Sequence, residues 1–149
     1  LPDAALHTVA DAVELDAISE GLDEAMAREL RPEPGSAIAG QAYARAFRAT
    51  ASREQRLHQV DLAQGIGRSL QSLVRHPMLG RLLAAMGAPA RLAGLTQMHD
   101  FLARGFSAFK GLPDVPSFLS RIDGRERALI HAIFDGELAP DLGWTTGAG

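Results

Sequence analysis

Cysteine is absent from this chain of 149 residues, and lysine occurs once, at Lys110. Without cysteine the chain forms no disulfide, no cysteine-ligated zinc site, no iron–sulfur cluster and no thiol nucleophile. No apolar run comes near the roughly 20 residues that a membrane-spanning helix needs, and no signal peptide is visible. These absences predict a soluble domain, for which we take the cytoplasm as the expected compartment.

The length of the chain is that of one ordinary domain. We place this domain at residues 1–139 and expect residues 140–149, with three glycines in the last nine positions, to form a flexible tail. The first residue is Leu1 rather than Met. We therefore take the chain to be a possible fragment of a longer protein. The lack of a targeting signal is then weaker evidence about the compartment.

Charge is unevenly distributed along the chain, whose net charge is −3. Residues 1–33 contain nine acidic and two basic side chains, whereas residues 34–149 contain nine acidic and thirteen basic ones. An acidic first helix beside arginine-bearing neighbours explains this pattern, and a docking surface for a basic partner is the alternative. The arginines are spread over several helices instead of clustering with aromatic residues, so nucleic acid is not an expected partner.

Helical periodicity predominates, and no stretch has the alternation typical of a β-strand. Leu6, Val9 and Val13 share one face of the first helix, and later apolar residues continue at spacings of three and four. Ser52-Arg53-Glu54-Gln55 reads as a capping box. We predict an all-α fold, a single-domain bundle of about six amphipathic helices, at about residues 3–31, 36–51, 52–76, 77–87, 89–110 and 116–135.

Four segments carry a resemblance to a known family: LDEAMA at residues 22–27, PARLAGL at 89–95, DFLARGF at 100–106 with Phe109, and RERALI at 125–130. In this order they resemble the bacterial FFLEE-type proteins, an uncharacterised family named after an aromatic-acidic motif near the N-terminus. The resemblance covers most of the chain, but the naming motif itself is absent. The resemblance implies no activity, cofactor or catalytic residue.

Candidate catalytic groups are few. Glu54, His58 and Asp61 have spacings that place them near one face of the third helix. Such a trio suits metal ligation or a carboxylate-oriented base, but a solvated strip of ion pairs is the simpler interpretation, because the paired Glu-x-x-His motifs of di-iron bundles are missing. We assign no catalytic residue, no metal ligand and no cofactor, and the sequence favours a non-enzymatic protein.

Phenylalanine and methionine concentrate in the second half of the chain, where they form either core or the wall of an apolar pocket. Gly94 and Gly105 lie inside the predicted fifth helix, where glycine is costly, and this indicates close helix crossings or room for a bound molecule. An apolar small molecule held between the last three helices would contact five residues: Met98, His99, Phe106, Phe109 and His131.

The sequence leaves the function unknown. The leading hypothesis is a non-enzymatic helical interaction module that associates with itself, as a homodimer, through an apolar helix face. The alternative is a carrier that binds an apolar small molecule between the last three helices. Both hypotheses depend on the same apolar residues, so the sequence does not separate them.

Overall fold

The computed structural model describes residues 3–31 and 40–137. These ranges contain seven helices and no strand: α1 (Asp3–Leu30), α2 (Gly40–Thr50), α3 (Arg53–Leu73), α4 (Pro77–Ala85), α5 (Gly87–Leu92), α6 (Thr96–Lys110) and α7 (Val115–Phe134). The predicted all-α bundle is confirmed. No helix within these ranges combines the length and apolarity needed to cross a membrane. The predicted tail at residues 140–149 and the predicted start of the second helix at residue 36 lie outside the described residues.

Helix α3 lies at the centre of the bundle, between α1 and α7. It runs antiparallel to α7, because Gln64 of α3 donates to the Leu119 carbonyl near the start of α7, whereas Arg53 at the start of α3 pairs with Asp135 just past the end of α7. Helix α1 is antiparallel to α3 as well. Helix α2 packs against α1 and α7 at the end of the bundle where α3 begins.

The core lies mainly among α1, α2, α3 and α7. Small residues on α2, Ala44 and Ala46, are 4% and 2% exposed and bring its backbone close to the neighbouring helices. The larger buried side chains of this region include Met26, Leu62, Leu119, Ile130 and Ile133. In contrast, no described residue of α4 or α6 is buried. Helices α4, α5 and α6 therefore form an annex at the C-terminal end of α3 instead of contributing a second core.

Side-chain caps fix where two of the helices begin. The Ser52 hydroxyl accepts from the Gln55 amide at 3.2 Å, and the Gln55 side chain accepts from the Ser52 amide at 2.8 Å, so the predicted capping box of α3 is confirmed. The sequence interpretation began α7 at Pro116 and missed its cap. The structure places Asp114 there, accepting from the Ser117 amide at 3.1 Å.

The prediction of one continuous fifth helix at residues 89–110 is wrong, because the structure divides this segment between α5 and α6. Gly94 has a φ of +74°, in the left-handed region that favours glycine. The amide of Leu95 donates to the Ala90 carbonyl at 2.8 Å and that of Gly94 to the Arg91 carbonyl at 3.2 Å. This is the Schellman pattern that ends a helix, so Gly94 is a helix stop and not the packing glycine that the sequence suggested.

Candidate functional site

The annex formed by α4, α5 and α6 exposes many large apolar side chains to solvent. Large apolar side chains there keep between 47% and 91% of their surface exposed, namely Met78, Leu82, Met86, Leu92, Leu95, Met98, Phe101 and Leu102. We call these eight residues the α4–α6 face. Large contiguous apolar patches are rare on monomeric proteins and mark interaction sites when they occur.

A cleft of about 530 Å³ opens onto the α4–α6 face between α3, α4 and α6. Its wall is apolar and consists of Leu70, Leu73, Val74, Leu79, Leu82, Leu83, Met86, Phe101, Leu102, Gly105, Phe106 and Phe109. Four of these residues also belong to the face, namely Leu82, Met86, Phe101 and Leu102, so the cleft overlaps the face. The volume lies within the range of about 300–1,000 Å³ that is usual for small-molecule sites.

Two glycines in the annex differ in what surrounds them. A β-carbon at Gly80 would meet the Phe106 ring at 3.6 Å, which is an ordinary packing contact. A β-carbon at Gly105 in the cleft wall would meet nothing within 4 Å. Glycine in mid-helix is less stable than alanine by about 1 kcal/mol, and close packing does not explain this one. The space beside Gly105 in the cleft wall is open.

The predicted ligand-binding residues are only partly brought together. Phe106 and Phe109 line the cleft, whereas Met98 lies on the α4–α6 face outside the cleft wall. The His99 Nε2–H donates to the Leu83 carbonyl at 2.8 Å, so this half-buried ring links α6 to α4. His131 lies on α7, where its Nδ1 is 3.1 Å from an Arg53 guanidinium nitrogen. The structure does not bring His131 to the cleft.

The trio of Glu54, His58 and Asp61 does not form a joint site. His58 Nε2 lies 2.8 Å from Glu14 of α1, and Asp61 pairs with Arg127 of α7. Arg127 also donates to Asp123 at 2.9 Å, and the hydrogen bonds to Asp61 and Asp123 raise the pKa of its guanidinium. These pairs join α3 to its two neighbours and support the interpretation as ion pairs. Within residues 3–31 and 40–137, no cluster of three His or acidic side chains suits a metal ion.

Among the residues that the structure describes, Arg56 is the most buried charged one, at 5% exposure. Its guanidinium carbon lies 4.0 Å from the centroid of the Phe47 ring, and one terminal nitrogen donates to the Thr50 hydroxyl at 3.0 Å. The Nε atom is buried without a hydrogen-bond partner. Burial lowers the pKa of Arg56, and the nearby Tyr43 and Asp23 oppose this shift. The position, inside the junction of α2 and α3, indicates a structural role.

Helix α1 carries a second exposed apolar surface. Leu6, Val9 and Val13 are 55%, 61% and 64% exposed, and we call them the α1 stripe. At 100° per residue the α1 stripe lies opposite the side of α1 that carries Leu15, Ile18, Leu22 and Met26, the side that packs into the bundle. The sequence interpretation placed the first set on one face and did not say that the second set lies on the opposite face. The bundle covers only the second set.

The two exposed apolar surfaces lie in segments of opposite charge. Helix α1 contains eight acidic residues and one basic residue, Arg28. Residues 75–110, which include the α4–α6 face, contain five basic residues and one acidic residue, Asp100. On α1 the exposed Asp16 and Glu20 follow the stripe along the same side of the helix.

The described residues thus define an all-α bundle with a large exposed apolar face on its annex. Residues 1–140 match a family described as "Domain of unknown function (DUF8198)", and the protein belongs to that family. No curated protein and no solved structure matches the chain. The family description agrees with the predicted uncharacterised family and assigns no function, and the likeness to FFLEE-type proteins stays a prediction.

Proposed function

We propose that this domain is a non-enzymatic interaction module that associates with a second copy of itself through the α4–α6 face. The observation that carries the proposal is the exposure of eight large apolar side chains on the annex, four of which line one cleft. Removing apolar surface from water stabilises the associated state by roughly 25 cal/mol per Å² of buried area. A surface that the bundle itself leaves in water therefore favours a partner that covers it.

A second copy suits this face because the same chain supplies a complementary surface. The face lies in a segment with five basic residues and one acidic residue, whereas α1 is strongly acidic and carries its own uncovered apolar stripe. Complementary charge favours productive encounter between two surfaces and disfavours wrong pairings. A second copy brings both the apolar cover and the opposite charge.

Sedimentation equilibrium of the purified chain over a range of concentrations tests the proposal, with the wild type expected to associate. Phe101→Glu places a charge on a residue that is 69% exposed and should weaken association without unfolding the bundle. Ser120→Glu adds the same charge at an exposed position on α7, away from the α4–α6 face, and should leave association unchanged. A wild type that stays monomeric at the highest concentration overturns the proposal, as does equal association of the Phe101→Glu variant.

A carrier of a long-chain carboxylate is the second candidate function, favoured by the open space beside Gly105 in the cleft. An aliphatic chain makes no hydrogen bonds, and it would meet an apolar wall there. The ammonium of Lys110 lies 6.0 Å from the centroid of Phe106, a wall residue, so a cation stands near the cleft for an anionic head group.

Native mass spectrometry with added hexadecanoate tests the carrier, with a one-to-one adduct expected. Gly105→Leu fills the open space in the wall and should remove the adduct, whereas Gly65→Leu on α3 is outside the cleft and should retain it. Thermal unfolding confirms that both variants are folded. The absence of an adduct with the wild type, or its persistence in Gly105→Leu, would rule out this second function.

A further inference from the structure

We infer that the α4–α6 face of one copy is covered by the α1 stripe of a second copy. The inference rests on the proposed self-association and names the surface that meets the face. It joins the two large apolar surfaces that the bundle leaves in water: eight residues of the annex and three residues of α1. It also brings together the two segments of opposite charge.

Charge disfavours the simplest alternative, in which two α4–α6 faces pair with each other. Such a dimer would place two segments side by side that each carry five basic residues and one acidic residue. Two α1 stripes facing each other would likewise bring two strongly acidic helices together. Like charges across an interface oppose association. Only the pairing of α1 with the annex is both apolar and oppositely charged.

The spacing of the α1 stripe fits a helix that lies in an apolar groove. Leu6, Val9 and Val13 stand at positions i, i+3 and i+7, which is the anchor pattern of such complexes. Asp16 and Glu20 extend the same side of α1 by one and two further turns. With the anchors on the annex, these carboxylates approach its exposed arginines, which include Arg81 and Arg104.

A two-fold axis makes this contact reciprocal. Each copy offers one α1 stripe and one α4–α6 face, so two copies exchange both contacts and leave neither surface uncovered. Dimers with two-fold symmetry are by far the commonest closed assemblies of identical chains. The expected species is therefore a dimer with two identical α1–annex contacts.

Charge reversal on the two surfaces, separately and together, tests the inference. The α1 variant carries Asp16→Arg and Glu20→Arg, and the annex variant carries Arg81→Glu and Arg104→Glu. Each variant alone should dimerise at least about tenfold more weakly than the wild type, because both contacts then join like charges. An equimolar mixture should recover the dimer, since every contact in the mixed dimer again joins opposite charges. Arg121→Glu with Arg125→Glu on α7 is the matched control and should dimerise like the wild type.

The outcomes separate this inference from the proposed function. A monomeric wild type removes self-association altogether. A wild type that dimerises while the α1 variant dimerises equally well retains the proposed function and overturns the α1 contact. Two weakened variants that fail to recover on mixing also overturn it, because reciprocal pairing requires the mixed dimer to form. Circular dichroism of each variant confirms that the bundle is intact.

Discussion

Gly67 of α3 lies directly against Leu119 of α7, so close that a β-carbon at residue 67 would stand 2.6 Å from the Leu119 Cδ2 atom. Leu119 is 9% exposed, and its carbonyl also accepts from the buried Gln64 side chain. A β-carbon at residue 67 therefore requires the Leu119 side chain to shift. The two helices cross at a distance that depends on the missing side chain at residue 67.

Gly67→Ala should destabilise the bundle by about 1 kcal/mol, since overpacking costs roughly 1–3 kcal/mol and the gain in helix propensity returns about 1 kcal/mol. Gly65→Ala is the matched control two residues earlier, where a β-carbon would meet only Asp11 Oδ2 at 4.0 Å. It should stabilise the protein by up to about 1 kcal/mol. Urea unfolding measures both, and a Gly67→Ala variant as stable as Gly65→Ala would show that α7 adjusts freely.

Arg56 provides a second test of how the bundle is held together. Arg56→Ala removes the stacking on Phe47 and the hydrogen bond to Thr50, and it should lower the free energy of unfolding by about 2 kcal/mol. Arg56→Met should recover part of this loss, because its aliphatic chain still packs on Phe47 and it leaves no buried Nε without a partner. A methionine variant less stable than the alanine variant would contradict this account.

The sequence predicted the all-α class well because the signals that begin and end helices are local. The capping box at Ser52 and the predicted start of a helix at residue 77 each depend on a few neighbouring residues, and the structure has both. The break at Gly94 was missed because a glycine has the same sequence signature inside a helix as at its end. Only its φ of +74° decides between the two.

The proposed functional surfaces could be predicted from the sequence only in part, because the exposure of a side chain depends on tertiary packing. Of the predicted ligand-binding residues, Phe106 and Phe109 line one apolar cleft, but His131 is on a helix that packs elsewhere. Leu6, Val9 and Val13 have the spacing of a core-facing stripe, and nothing in the sequence shows that α3 covers the other side of α1. Periodicity identifies an apolar face but not what covers it.

The lowered pKa of Asp114 predicts how the free energy of unfolding changes at acidic pH. Hydrogen bonds from the side chain and the backbone amide of Ser117 lower the pKa of this carboxyl in the folded protein. The unfolded pKa is near the ordinary value of about 3.9, so the stabilisation by Asp114 is fully present above that pH. It is lost as the pH falls through the lower folded pKa, because the unfolded chain binds the proton first.

Asp114→Asn keeps an acceptor oxygen for the Ser117 amide and removes the titrating group. Urea unfolding at pH 5 and at pH 3 should therefore show a smaller loss of stability on acidification for the variant than for the wild type. Ser117→Ala removes the hydroxyl but keeps the amide donor, so its dependence on pH should lie between the two. Equal losses of stability for Asp114→Asn and the wild type between these pH values would contradict the prediction. The hydrogen bond from the Ser117 amide would then stabilise α7 equally well with a neutral acceptor.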